Sequence, residues 1–370
     1  MKIIITKENL IKALQKIIGV VDKKQSMPIL SHILFKKSNE GYEVVASDLE
    51  VQLSSVIEVN DVNGFAGNIT IPGRKLFDIG KGLSDESLIE IDQINESKIQ
   101  IKSKKSKFIL SALDPNTFPM METLDDESIS FSMKASELKE IIGKTSFAMA
   151  QQDVRYYLNG LYLLASNNQI STVATDGHRL AKASISAEGK SLEGISAIVP
   201  RKGVIEIDKQ LDEEEEEINI ILSKNHIKVS NKKTMAISKL IDGSFPDYTK
   251  VMPTNVDKKV IVDNKLFKEA LIRVSILSND RFRGVRLNFI NNEIKVSANN
   301  PEKAEASDDI KSNYEGDNLE VGFNVNYLID VLNVIKTKNV QILLRDANSS
   351  ALLTPENDNS SSYVVMPLRL

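Results

Sequence analysis

The chain has 370 residues, of which 41% are hydrophobic and 26% are charged, and it contains no cysteine. This length exceeds the usual size of one domain and predicts two or three, while the lack of cysteine excludes disulfides, cysteine-ligated metal sites and thiol nucleophiles. With 47 basic against 51 acidic residues, the formal net charge of −4 argues against a simple basic nucleic-acid-binding protein.

In chain order, the predicted elements form a recurring pattern. Three amphipathic segments each follow a short apolar run typical of a strand, and each carries two apolar residues four positions apart, as expected for one face of a helix. The three pairs are Leu10 and Leu14, Leu138 and Ile142, and Phe267 and Leu271. Their first members are spaced by 128 and 129 residues, which indicates an internal repeat.

Further landmarks keep nearly the same spacing. They are the ends of strand-like runs at Asp48, Asp176 and Asn300, and the starts of a second helix near Pro72, Pro200 and Asn324. We therefore expect three copies of one module, ordered strand, helix, several strands, helix and further strands. Alternating polar and apolar residues with short turns predict antiparallel sheets with two helices packed on one face, an α+β fold.

The repeat predicts three domains, which span residues 1–126, 127–252 and 253–370. The expected linkers are the acidic stretch at Asp125–Glu127 and the segment Met252–Asn255. Each domain has about 120 residues, a size that can enclose its own core.

Signals of catalysis and of metal binding are weak. The three histidines, His32, His178 and His226, are widely separated, and no zinc, P-loop, dinucleotide-binding or serine-hydrolase motif occurs. Asp176 and His178 can be interpreted as an acid–base pair, but a turn after a strand is the favoured interpretation. The acidic run Glu213–Glu217 is interpreted as a solvated loop rather than a metal site. We expect neither a metal nor a cofactor.

Lysines and arginines recur near both helices of each module, as at Lys12, Lys16 and Arg201. Two interpretations are equally supported by the residues. These cations form an ordinary solvated helix surface, or they form a face that is collectively positive although the molecule as a whole is not.

Six longer segments are distinctive in composition and order. They are QDVRYYLNG (152–160), ATDGHRLA (174–181), IVPRKGVIEI (198–207), DGSFPDY (242–248), RFRGVRL (281–287) and YVVMPLRL (363–370). Together with the three modules, they resemble the bacterial DNA polymerase III beta subunit, the sliding clamp. The resemblance runs in order from residue 1 to residue 370.

The resemblance implies a head-to-tail homodimer, in which two chains close a six-domain ring that slides on double-stranded DNA without sequence preference. It implies a non-catalytic processivity factor of DNA replication that tethers the catalytic subunit of DNA polymerase III. The other partners it implies are the clamp loader complex, and further polymerases and repair proteins that carry short clamp-binding peptides. A cytoplasmic location without membrane association is expected, because neither a signal-peptide pattern nor a run of about 18 apolar residues occurs.

The resemblance also implies a pocket between the second and third domains that binds a short, mostly apolar peptide of each client protein. Burial of apolar area would stabilise that complex, while His178 and Arg179 would orient the peptide. For the apolar residues of the last segment, a buried final strand is the alternative interpretation. Carried over by motif, the pocket residues are Leu158, Thr175, Gly177, His178, Arg179, Leu180, Pro246, Lys250, Val251, Phe282, Asn324, Tyr327, Ser350, Val364, Met366, Pro367, Leu368 and Arg369.

Two further surfaces follow from the same resemblance. For the adjacent tyrosines among the DNA contacts, a place in the core is the alternative interpretation, although neighbouring residues seldom both face inward. The implied DNA contacts are Lys24, Gln152, Tyr156, Tyr157, Arg201 and Lys202. The implied dimer interface joins Arg74, Lys75, Phe108 and Leu110 of one chain to Ile276, Leu277, Glu302 and Glu305 of the other.

Some residues depart from the family pattern. Ala304 and Ser307 stand in a stretch that is usually more acidic, so charge contributes less to the expected interface. Lys24 and Lys250 stand where arginine is common, and lysine lacks the bidentate fork of arginine. Asn348 replaces an apolar residue in one wall of the peptide pocket.

Two other functional classes are alternatives to the clamp. A hydrolase that uses Asp176 and His178 would lose turnover when His178 is changed. A peptide-binding scaffold would bind client peptides but would never encircle DNA.

Overall fold

The computed structural model describes residues 2–21, 27–38, 41–59, 61–63, 67–121, 128–166, 168–187, 194–211, 216–279, 281–302 and 304–369. The chain separates into two compact units. Unit 1 comprises Met1–Leu138 and Lys202–Leu240, and unit 2 comprises Lys139–Arg201 and Ile241–Leu370. The expected linker at Asp125–Glu127 lies outside the described residues.

The predicted helices are present, and their order repeats three times. The α-helices of the described residues are α1 Lys7–Ile17, α2 Gly73–Gly82, α3 Ala135–Thr145, α4 Arg201–Asp208, α5 Asn264–Ser275 and α6 Val325–Val334. The odd-numbered helices contain the three apolar pairs, and the even-numbered helices begin at or next to the three predicted starts. The threefold repeat is therefore confirmed at the level of the elements.

The strands complete the same order. They are β1 Lys2–Thr6, β2 His32–Ser38, β3 Gly41–Ser47, β4 Val51–Ile57, β5 Asp61–Asn63, β6 Ile69–Pro72, β7 Leu88–Asn95, β8 Lys98–Ser103, β9 Ser106–Ser111, β10 Ile129–Lys134, β11 Gly160–Ser166, β12 Gln169–Thr175, β13 Arg179–Ser186, β14 Ile195–Pro200, β15 Glu217–Leu222, β16 His226–Ser230, β17 Thr234–Lys239, β18 Lys258–Asp263, β19 Gly284–Ile290, β20 Glu293–Asn299, β21 Glu305–Asn313, β22 Leu319–Asn324, β23 Asn339–Leu344, β24 Ala351–Pro355 and β25 Ser361–Val365.

Unit 1 contains two sheets. The smaller has the order β5-β1-β7-β8-β9, and the larger has the order β10-β15-β16-β17-β4-β3-β2-β6. Unit 2 contains one sheet of 12 strands with the order β14-β11-β12-β13-β25-β24-β23-β18-β21-β20-β19-β22. All pairings between named strands are antiparallel, as the alternating sequence predicts.

The modules are joined through their strands in the same way at two places. The last strand of the second module, β17, pairs with β4, and Thr234 lies opposite Ser55. The last strand of the third module, β25, pairs with β13, and Ser361 lies opposite Ala183. In the repeat β4 and β13 are equivalent strands, so both joints use one register.

Local chemistry explains where the helices begin and which face they bury. The Oγ1 atom of Thr6 accepts the N–H of Asn9 at 3.2 Å and caps α1, while Glu8 in the first turn and Lys16 in the last turn suit the helix dipole. Leu10 and Leu14 are buried, as predicted. Helix α1 packs against α2 and β4, and α5 packs against α6 and the equivalent strand β21.

No helix among the described residues is long and apolar enough to cross a membrane.

Candidate functional site

The segment Asp176–His178 forms the turn between β12 and β13. The Oδ1 atom of Asp176 accepts the N–H of His178 at 2.9 Å and that of Arg179 at 3.0 Å. Gly177 has a φ of +88°, a conformation that glycine adopts without a steric penalty. The Asp176 carboxylate therefore caps a turn, which agrees with the favoured interpretation of this segment. In the first module, the equivalent Asp48 caps its turn by accepting the N–H groups of Glu50 and Val51.

Arg179 follows this turn and is bound on all sides. Its Nε atom donates to Asp176, its Nη1 atom to Asp330 on α6, and its Nη2 atom to the carbonyl oxygen of Phe147. The guanidinium also lies 4.6 Å from the ring centroid of Tyr327, and only 12% of the side chain is exposed. Arg179 therefore holds the shape of the site.

Beside the turn lies a mostly apolar cavity of about 200 Å³, here called the first cavity. Buried side chains of Leu158, Leu180 and Val364 contribute to its lining. A hydrophobic cluster beneath Leu180 and Val364 includes Tyr162 and Phe245, whose rings stack with centroids 4.7 Å apart. The cavity suits an apolar ligand. Predicted residues that line it are Leu158, Thr175, Gly177, Arg179, Leu180, Pro246, Val251, Val364 and Met366.

Two further cavities follow the C-terminal tail, Met366–Arg369. The second cavity, of about 420 Å³, is lined in part by Met366, Pro367, Leu368, Arg369 and Ser350, all of them predicted, and by Asn348. The third cavity, of about 410 Å³, includes the predicted residues Phe282, Leu368 and Arg369. The predicted residues are thus distributed over three cavities.

Four predicted pocket residues line none of these cavities. The His178 imidazole stacks on the Tyr327 ring with centroids 6.5 Å apart. Asn324 caps α6 by accepting the N–H of Asn326 at 3.0 Å. The Nζ atom of Lys250 lies 3.5 Å from Oδ2 of Asp247, and Asp247 itself lines the first cavity.

Four lining residues of the first cavity were not predicted for it: Arg155, Tyr157, Asp247 and Tyr248. Arg155 binds the Asp153 carboxylate with both Nε and Nη2, and these hydrogen bonds lower the pKa of Asp153 to about 2. Burial raises the pKa of Tyr248. All four belong to segments 152–160 and 242–248, which carry the family resemblance.

The residues predicted to contact DNA have different environments. Tyr156 is exposed, whereas Tyr157 is half-buried in the wall of the first cavity, so the two do not both lie in the core. Gln152 is exposed. Arg201, the first residue of α4, donates to the carbonyl oxygen of Met149 at 3.5 Å. Lys202 forms an ion pair with the buried carboxylate of Asp48. Lys24 lies outside the described residues.

The predicted interface residues lie partly at the surface. In unit 1, Arg74 donates from Nε to the carbonyl oxygen of Val21 at 2.8 Å, Lys75 is exposed, and Phe108 and Leu110 are half-buried on β9. In unit 2, Glu302 and Glu305 are exposed, Leu277 is half-buried, and Ile276 is 76% exposed. Single exposed apolar side chains are common at protein surfaces, so the exposure of Ile276 is compatible with the predicted interface but does not distinguish it from other surface residues.

The described residues contain no group of three or more histidine, aspartate or glutamate side chains that could hold a metal ion. Of the acidic run, Glu213–Glu215 lie outside the described residues. The Oε2 atom of Glu216 accepts a hydrogen bond from Nδ2 of Asn231 at 2.8 Å. The absence of a cofactor remains a prediction.

Comparison with protein families gives three matches in chain order. Residues 1–122 match the N-terminal domain of the DNA polymerase III beta subunit, residues 132–247 its central domain, and residues 249–369 its C-terminal domain. The chain is 44% identical over 366 residues to a beta sliding clamp of Pseudomonas aeruginosa, with 99% of each chain covered. It is 39% identical over 370 residues to that of Escherichia coli K12, with all of each chain covered.

Comparison with solved structures supports the same family. A crystal structure of the P. aeruginosa sliding clamp bound to griselimycin superposes with a TM-score of 0.96, and it covers all of both chains at 44% identity. The three-domain α+β clamp fold is therefore confirmed. The protein acts in DNA replication as a sliding clamp that confers processivity on DNA polymerase III, and it is not an enzyme. From the first residues to the last strand, the chain belongs to the DNA polymerase III beta subunit family, the bacterial beta sliding clamps.

Proposed function

We propose that two copies of this chain assemble head to tail, through β9 of one copy and β21 of the other, into a six-domain ring around duplex DNA. Support comes from the two joints already present within each chain, β17 on β4 and β25 on β13. In the repeat, β9 is the equivalent of β17 and β25, while β21 is the equivalent of β4 and β13. A third joint of the same kind would link successive chains.

The neighbours of β9 and β21 in their own sheets support the assembly, because each strand has backbone groups along one edge that a second chain could pair with. Strand β9 is an edge strand of its sheet. Along Glu305–Lys311, β21 pairs with β20, while its pairing with β18 among the described residues involves Ser312 and Asn313. An exposed strand edge presents backbone groups that a second chain can satisfy.

The registers of the internal joints predict which residues meet at this interface. Transferred through the repeat, the registers of those joints predict that Ser106 lies opposite Asp308 of the second copy and Phe108 opposite Ala306. The apolar side chains of Phe108 and Leu110 would then pack near the exposed Ile276. Apolar side chains would form the centre of the interface, and charged residues of α2 and of the 302–305 stretch its rim.

We further infer that the ring holds DNA by enclosure, with contacts from Lys24, Gln152, Tyr156, Tyr157, Arg201 and Lys202. Phosphate charge is uniform along a duplex, so such contacts favour no sequence and permit sliding. Enclosure also removes the need for a large positive charge. The net charge of −4 is compatible with this mechanism.

The first cavity is the proposed docking site for client proteins. Its buried leucines and valine match a short apolar peptide, and the turn closed by Arg179 gives that peptide a rigid wall. The proposed clients are the catalytic subunit of DNA polymerase III, the clamp loader complex, and other polymerases and repair proteins, all in the cytoplasm. The proposed domain boundaries remain residues 1–126, 127–252 and 253–370.

Retention on DNA tests the ring. The chain is loaded onto nicked circular plasmid, unbound protein is removed by gel filtration, and half of the sample is then linearised. We expect the protein to stay on the circle and to leave the linear DNA. Equal retention on both forms would rule out enclosure, and strictly monomeric behaviour in light scattering at micromolar concentration would rule out the dimer.

Griselimycin, found bound to the P. aeruginosa relative, offers a test of the first cavity. Calorimetry should detect binding to this chain, and Val251→Asp should weaken it at least about tenfold, because a ligand in this mostly apolar cavity would bury the added charge without a partner. Val154→Asp is the matched control, since Val154 is 95% exposed and does not line the cavity. Equal affinities of the two variants would move the site elsewhere.

A further inference from the structure

The three cavities adjoin one another along the C-terminal tail. Met366 lines both the first and the second cavity, and Arg286, Leu368 and Arg369 line both the second and the third. The three cavities therefore succeed one another along four consecutive residues. A peptide that leaves the first cavity along the tail would enter the other two.

Backbone hydrogen bonds hold this tail in place. The N–H of Met366 donates to the carbonyl oxygen of His178 at 2.9 Å, and the N–H of Leu368 donates to that of Gly322 at 2.8 Å. Leu368 thereby forms an antiparallel bridge with Gly322 of β22. The tail between the cavities is therefore held against the sheet. A ligand that crosses the tail meets an ordered surface.

The lining of the second and third cavities has a positive balance. Arg286 and Arg369 belong to both. The acid among the described lining residues is Glu320, which lines the second cavity and whose Oε1 atom lies 3.2 Å from Nη1 of Arg286. This pair is roughly half-exposed on both sides. An incoming carboxylate can therefore compete with Glu320 for the guanidinium, through a charge-assisted hydrogen bond.

The third cavity also offers one large apolar contact. The Phe282 side chain is 58% exposed, and the guanidinium of Arg281 lies 5.4 Å from its ring centroid. The Oδ1 atom of Asn279 accepts the N–H groups of Arg281 and Phe282, which fixes the backbone beneath the ring. Each of these cavities has the volume of an ordinary ligand site.

We propose that the third cavity, reached across the tail, binds an acidic segment that flanks the apolar peptide of a client protein. The proposal rests on the first cavity being the client site. The apolar part of the peptide then buries apolar surface, a contribution to affinity that is common to all clients. The acidic flank adds a charge-dependent increment in affinity, which differs between clients. Clients with acidic flanks bind more tightly than clients with neutral or basic flanks.

Labelled synthetic peptides test this by fluorescence polarisation. The probe is Ser-Leu-Leu-Phe, used alone and extended by three aspartates, three serines or three lysines, with the extension at either end in separate peptides. On the unmodified chain, one of the two aspartate-extended peptides should bind at least about fivefold more tightly than the serine peptide extended at the same end. Added salt should reduce this increment in affinity. Equal affinities of the aspartate, serine and lysine peptides would overturn the proposal.

Two substitutions with opposite expected effects test where the affinity increment arises. Arg286→Gln should abolish it, whereas Glu320→Gln should enlarge it about threefold, because the competing carboxylate is gone. Lys295→Gln, an exposed residue on β20 outside the cavities, is the control and should leave the increment unchanged. A folding defect cannot produce effects of opposite sign, and an increment that survives in Arg286→Gln contradicts the assignment.

The two levels of the proposal fail in different ways. If the unextended peptide does not bind the unmodified chain, or binds Val251→Asp equally well, the client site itself is misplaced. If it binds normally in all variants and only the increment is missing, the client site stands and the third cavity is not part of it.

Discussion

The Nη1 atom of Arg179 lies 2.5 Å from the Oδ2 atom of Asp330, although 151 positions separate the two residues in the chain. Arg179 follows the turn at the first cavity, and Asp330 lies on α6. Because α6 also carries Tyr327, on which both the guanidinium and the His178 ring lie, this ion pair sets the distance between the turn and the helix.

Asp330→Asn should therefore loosen the first cavity. We expect the free energy of unfolding to fall by about 1–2 kcal/mol, since the Asp330 side chain is partly solvated, and griselimycin affinity to fall roughly threefold to tenfold. Urea unfolding and calorimetry measure the two effects. Glu269→Gln, which removes an exposed helix-surface partner of Lys265, is the control and should change neither by much.

The proposed dimer interface predicts that one charge can separate the subunits. Ile276→Asp should convert the dimer to a monomer in light scattering at micromolar concentration, because the aspartate would lose its hydration in an apolar contact. Leu88→Asp, the control, changes another exposed apolar residue (52% exposed) on β7, outside β9 and β21, and should remain dimeric. A dimer that survives Ile276→Asp would contradict the interface.

Substitution of glycine by alanine should have opposite effects on stability at Gly177 and at Gly143. Gly177→Ala should destabilise the chain by about 1 kcal/mol or more, because alanine is strained at a φ of +88°, and its Cβ would lie 3.0 Å from Nη2 of Arg155. Gly143→Ala should stabilise it by about 0.5–1 kcal/mol, since the glycine lies within a helix with open space around it. Thermal unfolding of both variants compares the signs.

The buried imidazole of His32 should make the folded chain less stable at acidic pH. Burial lowers the pKa of this imidazole, and nearby Lys75 lowers it further, against a backbone hydrogen bond with Thr70 that raises it. The unfolded chain therefore binds more protons than the folded chain below the ordinary value of 6.5, and stability falls as the pH drops through that value. Urea unfolding at pH 7.5 and 5.5, at one protein concentration, should show a smaller fall for His32→Gln than for the unmodified chain.

Lys202→Met separates a structural role from DNA contact. The Asp48 carboxylate is 4% exposed in the ion pair, so removal of the lysine should leave a buried charge and cost about 1–3 kcal/mol of stability. Lys202→Met combined with Asp48→Asn should recover part of that loss. If Lys202→Met unfolds at the same urea concentration as the unmodified chain, the ion pair with Asp48 does not stabilise the fold.

The sequence by itself determined the repeat, the helices and the family. Leu10 and Leu14, like Phe267 and Leu271, mark their helix faces through spacing alone, because helical periodicity is a property of neighbouring residues. Asp48 and Asp176 marked the turns for the same reason, since an aspartate oxygen that accepts N–H groups two and three residues ahead acts locally.

Only the tertiary structure decided how the site residues are divided. The motif that carried Arg179 and His178 into the peptide pocket could not show that Arg179 is committed to Asp330, or that Lys202 is paired with Asp48. It also could not separate Leu180 from Phe282 into different cavities. These facts depend on contacts between residues more than 100 positions apart, which arise from the packing of whole elements and leave no periodic trace in the chain.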